Sequence, residues 1–268
     1  MRDILAHSDK AKYGLIHFVC GALSLDSSKS SSNSSSNDQD FASTLRSRLE
    51  VFRYLVELRK KNGLNDHIRE AVNGRSPLHC FAVWLKNRNH EDAIGFADEL
   101  LSLGARPDSI DRELMPARLT PLHYSLIYDN AELATHFVKN VEKIEWNKIK
   151  DAMPSAFLIA CGQTSTSIDL LRCLSEHDDR NDVLKAEGLE SLSKVEITKR
   201  FAKGTFSNIF SRYVQHLTIF LTGTALHVAA ECGRDDTLRF LLENAKWDSD
   251  TIDRKRQDGL AALHLAAR

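Results

Sequence analysis

The chain has 268 residues, with 36 lysines and arginines against 37 aspartates and glutamates, for a net charge of −1. That balance leaves no global field to draw nucleic acid or acidic lipid, and no apolar run is long enough to span a bilayer, so neither nucleic-acid binding nor membrane insertion is expected. The five cysteines (Cys20, Cys80, Cys161, Cys173 and Cys232) form no Cys-x-x-Cys pair and are odd in number, which points to the cytoplasm or nucleus rather than to a disulfide scaffold.

In chain order, Met1–His7 has no secretory apolar core. Residues 11–23 predict a first helix with Ile16, Val19 and Cys20 facing inward. Ser24–Asp40 follows, rich in serine and asparagine with Leu25 as its single apolar residue. Such a run cannot offset its ordering entropy by burial and is expected to be a disordered loop. Asp38 and Asp40 lie just past Ser34–Ser36, which makes phosphorylation conceivable, although a plain solvated linker explains the composition more simply. A second helix is predicted over about 42–61 with Leu49, Phe52, Leu55, Val56 and Leu58 on its apolar face. It ends in Arg59-Lys60-Lys61-Asn62-Gly63, cations that suit a helix C-terminus before a glycine stop. Residues 1–73 thus form one atypical opening unit.

The next unit begins at Asn73-Gly74, carries extra residues around Lys86–His90, and closes at Leu101–Ala105. The third is compact: Leu122, Ser125 and Leu126, then Leu133, Phe137 and Val138. Asp129-Asn130 makes its turn, with Asn130 taken as the residue that tolerates left-handed geometry. The fourth places Phe157, Ala160 and Cys161 on one helix and Leu170, Leu171 and Leu174 on another. Residues 176–222 are an insertion. Its first half is charged, and Thr205–Gly223 turns β-branched and aromatic between Gly204-Thr205 and Gly223-Thr224. Removing that piece would join Phe-Ala-Lys-Gly directly to Thr-Ala-Leu-His. It therefore reads as a gene-model artefact such as a retained intron, with a functional insert or an eroded unit as the alternatives.

Gly223–Leu242 is the clearest unit of all. Leu226, Ala229 and Ala230 share one helical face, Gly233 makes a turn, and Leu238, Leu241 and Leu242 form a second apolar stripe. Neither helix is long enough to stand alone in water, so the unit must stack on copies of itself. The copies start at Ser76-Pro77-Leu78-His79, Thr120-Pro121-Leu122-His123, Thr224-Ala225-Leu226-His227 and Ala262-Leu263-His264, with fainter members at Gly14-Leu15-Ile16-His17 and Ser155-Ala156-Phe157-Leu158. Their separations are each one period of about 33 residues plus an insertion, and the widest, from Leu158 to His227, has room for one eroded unit.

This signature resembles the ankyrin repeat, with its Thr-Pro-Leu-His start, paired-alanine first helix and Leu-Leu second helix. The resemblance implies an all-α ankyrin-repeat α-solenoid with irregular insertions: an atypical first repeat over 1–73, repeats two to four over 74–175, the insertion 176–222, and a fifth repeat with a truncated sixth over 223–268. The chain stops after the first helix of the sixth repeat, so a fragment of a longer protein is expected. The repeat signature His79, His123, His227, His264, Thr120 and Thr224 is expected to be structural, hydrogen bonds fixing each turn. The histidines are too widely separated for one tetrahedral metal site.

No phosphate-binding glycine loop, Gly-x-Ser-x-Gly or His-Glu-x-x-His motif is present, and His79-Cys80 are neighbours facing different directions on a helix. No catalytic residue, metal or cofactor is therefore expected. The resemblance implies a monomeric adaptor or scaffold that binds a protein through its concave groove and finger loops, burying on the order of 1,600 Å². Trp84, Tyr128 and Glu231 are the candidate groove residues; for the two aromatics, covering the neighbouring repeat is the competing expectation. The alternative function is the recruiting arm of a larger protein, such as a tankyrase-like ADP-ribosyltransferase, a ubiquitin ligase, a kinase or a channel. Lys199-Arg200 with Lys203, and Arg254-Lys255-Arg256, are weak nuclear-signal candidates or plain loop charges.

Overall fold

A computed structural model describes residues 14–21, 38–63, 75–85, 88, 90–111, 118–140, 144–150, 152, 155–177, 223–245, 247–256 and 258–268. The expectations for residues 24–37, for 178–222 and for the basic cluster at 199–203 lie outside those residues. The described part is helical, with no strand. Its helices are α1 (Leu15–Val19), α2 (Asp38–Lys61), α3 (Pro77–Leu85), α4 (Glu91–Ser102), α5 (Pro121–Ile127), α6 (Ala131–Asn140), α7 (Trp146–Lys150), α8 (Ala156–Gly162), α9 (Ile168–His177), α10 (Ala225–Glu231), α11 (Asp235–Asn244), α12 (Ser249–Ile252) and α13 (Ala262–Ala266).

These helices stack in two rows. The first helices α1, α3, α5, α8, α10 and α13 each pack on the next, and the second helices α2, α4, α6, α9 and α11 do the same behind them. No first helix exceeds nine residues, so its stability comes from neighbours rather than from its own hydrogen bonds. Accordingly α5 and α8 are buried along their whole lengths, and α3 along all but Trp84. The second helices bury one face only: Leu133, Ala134, Phe137 and Val138 on α6, and Leu170, Leu171 and Leu174 on α9. Phe96 of α4 joins the rows, lying 5.0 Å from Phe52 of α2 and 4.8 Å from Phe81 of α3 between ring centroids.

Four expectations need correction. The helix α2 starts at Asp38, so 38–40 do not belong to the serine-rich loop, and α1 is confined to Leu15–Val19. On α11 the buried stripe is Thr237, Phe240 and Leu241, whereas Leu242 is 47% exposed; no second helix of a following repeat lies against it among the described residues. In the turn between the helices of the third repeat the left-handed residue is Asp129 (φ 58°), aligned with Gly233 (φ 65°), rather than Asn130. Asp129 is held there by partners from the next repeat: its side chain accepts from the hydroxyls of Thr164 and Ser165, both at 2.6 Å. Asn130 is free to do something else, and its amide donates to the Ala82 carbonyl of repeat two at 3.1 Å.

Repeats four and five are in direct contact. The helices α8 and α10 pack together, as do α9 and α11, and Arg234 in the turn of repeat five donates to the carbonyls of Gln163 and Thr166 in the turn of repeat four. No repeat is interposed in the stack, so the eroded-repeat reading of the long spacing fails.

Candidate functional site

From repeat two onwards the repeat starts share one plan, completed in repeats two, three and five. Pro or Ala opens the first helix, and the residue before it, in extended conformation, is the N-cap. In repeat three the backbone N–H of Thr120 donates to His123 Nδ1 at 3.3 Å, and the Thr120 hydroxyl lies 2.8 Å from the same nitrogen. Thr224 and His227 repeat this at 3.2 and 2.8 Å, and Ser76 and His79 at 3.0 and 2.9 Å. This is a capping box with histidine in the place of glutamate. Because a backbone N–H can only donate, Nδ1 must be the acceptor, and the proton of the neutral ring sits on Nε2. In repeat one that second nitrogen bridges to the next repeat: His17 Nε2 lies 3.1 Å from the Arg75 carbonyl.

The two imperfect starts show what is lost. In repeat four Leu158 replaces the histidine; the Ser155 hydroxyl still accepts from the Leu158 N–H at 3.1 Å, but nothing returns from the side chain. At Ala261 the hydroxyl is missing, and only the backbone bond to His264 Nδ1 remains, at 3.1 Å. Burial holds His79 neutral, pushing its pKa down to about 4 although the Asp111 charge pulls the other way. His227 is lowered for the same main reason.

A second set of polar groups ties repeat two to repeat three. Arg75 donates from Nε to Asp111 Oδ2 at 2.7 Å, and the Tyr124 hydroxyl donates to the same oxygen at 2.6 Å. The Arg75 and Asp111 side chains are 2% and 0% exposed. Burial alone would raise the Asp111 carboxyl, but the Arg75 guanidinium, with help from the Tyr124 hydroxyl, holds it below the ordinary range. Burial and Asp111 together push the Tyr124 phenol far up. Asp108 is similar: Arg106 grips it with two bonds of 2.8 and 2.7 Å, and the Glu145 N–H donates to it at 2.6 Å, so its carboxyl stays low despite burial.

Of the candidate groove residues, Tyr128 is not an exposed anchor. It is 6% exposed and stacks on Tyr124, centroids 6.4 Å apart and planes 9° from parallel. Trp84 is half-buried against repeat one. Phe41 stacks on it at 5.2 Å, the Arg48 guanidinium lies 4.5 Å from its ring centre, and a Cβ at Gly21 (φ +106°) would fall 2.4 Å from the Trp84 Cβ. Trp84 therefore covers its neighbour, whereas Tyr128 is buried beside Tyr124 of its own repeat. Glu231 alone keeps its carboxylate at the surface, where Arg256 from the loop before repeat six pairs with it and with Asp258. Arg256 was legible only within the Arg254-Lys255-Arg256 cluster, because its partner Glu231 lies 25 positions away, and Asp258 was not singled out.

Among the described residues no three His, Cys, Asp or Glu side chains come together in a way that could hold a metal ion. Burial raises the thiols of Cys20 and Cys161, which leaves them as inert apolar packing groups. The shifted His79, Asp108, Asp111 and Tyr124 lie inside the stack.

The family model described as "Ankyrin repeat" matches residues 223–252. A search of curated proteins gives no match. The crystal structure of the human ASB11 ankyrin repeat domain is similar over 98% of this chain and 80% of that one, at 16% identity and a TM-score of 0.50. The ankyrin repeat domain of Bcl-3, a member of the IkappaB protein family, matches 83% of this chain and 90% of its own, at 16% identity and a TM-score of 0.41. At such identity the first likeness is one of fold.

Proposed function

We propose that this chain, an ankyrin-repeat protein, is a non-catalytic binding array whose groove and finger loops hold a protein partner. Ankyrin repeats are in general protein–protein interaction modules. The observation that carries the reading is the double row of helices: among the described residues, six first helices and five second helices stacked in sequence order. A rigid ladder of this kind presents the loops between repeats at a fixed spacing, which is what a partner of standard interface size requires. Buried polar groups such as Arg75, Asp111 and Tyr124 fix that ladder, so specificity falls to surface groups such as Glu231, Arg256 and Asp258. All five cysteines are free thiols, which suits the proposed cytoplasmic or nuclear setting, and among the described residues no helix is long and apolar enough to cross a membrane.

The test compares affinity capture by the whole chain with capture by a Glu231→Lys, Asp258→Lys variant whose helical circular dichroism is unchanged. Partners held through this face are lost or weakened at least tenfold in the variant. Identical recoveries would remove this face from the proposal, and the absence of any stoichiometric protein partner for the folded wild-type chain would remove the proposal itself.

A further inference from the structure

We draw no further inference here: the strongest candidate, the apolar face left open at the last stacked helices by Leu263 (77% exposed, where Leu78, Leu122 and Leu226 at the same repeat position are buried) and Leu242, carries nothing because nothing in the structure shows what covers it.

Discussion

The guanidinium of Arg234 donates to the Gln163 carbonyl at 2.6 Å across 71 positions of sequence, and to the Thr166 carbonyl at 3.0 Å. Two backbone acceptors of repeat four are thus satisfied by one side chain of repeat five. Hydrogen bonds from a charged donor are worth about 1.5–3 kcal/mol each, and losing this one leaves buried carbonyls without it. Arg234→Ala is expected to cost about 2–3 kcal/mol in urea unfolding. Arg234→Lys recovers only part, because a single ammonium cannot reproduce the planar fork. Equal stability of the three proteins would show that the contact contributes nothing.

The Arg75–Asp111 pair gives a sharper test. Removing one partner strands a buried charge, so Asp111→Ala is expected to lose about 3–5 kcal/mol. Replacing the whole set with Arg75→Met, Asp111→Leu and Tyr124→Phe removes the charges together and should recover most of that loss. A triple variant no more stable than Asp111→Ala would mean that the network's value lies in its geometry rather than in charge compensation.

The pH dependence follows from His79. Its folded pKa of about 4 lies below the ordinary value of 6.5, so the unfolded chain binds the proton more tightly. The stabilisation is complete above pH 6.5 and is lost as pH falls towards 4, amounting to roughly 3 kcal/mol. Stability measured across that window should decline steeply in the wild type and less so in His79→Gln. Parallel declines in the two proteins would exclude His79 as the cause.

Much of this was legible because the repeat start is a local device. Thr120 and His123 are three positions apart, so the capping box and the helix it opens can be read directly from the chain. The stripes on α6 and α9 were legible for the same reason, since a helix's own period orders them. What stayed hidden depends on which repeat lies next door. Asp111 is paired with Arg75, 36 positions earlier, and nothing local to either residue announces the other. Tyr128 could be read from sequence either as an exposed anchor or as a covered residue, and it is buried, stacked on Tyr124. Asp129 takes the left-handed turn because Thr164 and Ser165 of the following repeat reward it. The contact between repeats four and five was obscured by the long insertion, which separates them in sequence and not in the stack.

Gly223 supplies a prediction about that insertion. A Cβ there would lie 2.8 Å from the His227 Cβ and 3.1 Å from Arg256 Cδ, so a larger residue must displace the repeat start. Deleting Thr205–Gly223 brings Gly204 into that same position before Thr224, and the melting temperature is expected to stay level or rise. The same deletion combined with Gly204→Ala should lose about 1–3 kcal/mol through overpacking. A deletion that melts several degrees lower regardless of Gly204 would show that the segment itself packs on the array.

The continuity of the array across repeats four and five is tested most directly by two fluorescent reporters, one on each side of that junction. Trp84 packs between repeats one and two, and Trp247 follows α11, its indole N–H donating to the Leu241 carbonyl at 3.0 Å. Variants retaining only Trp84 or only Trp247 of the three tryptophans would be unfolded in urea. Coincident midpoints, both shifted downward by Arg234→Ala, are the expected result. Separate midpoints, with Arg234→Ala moving only the Trp247 transition, would contradict a single stacked array.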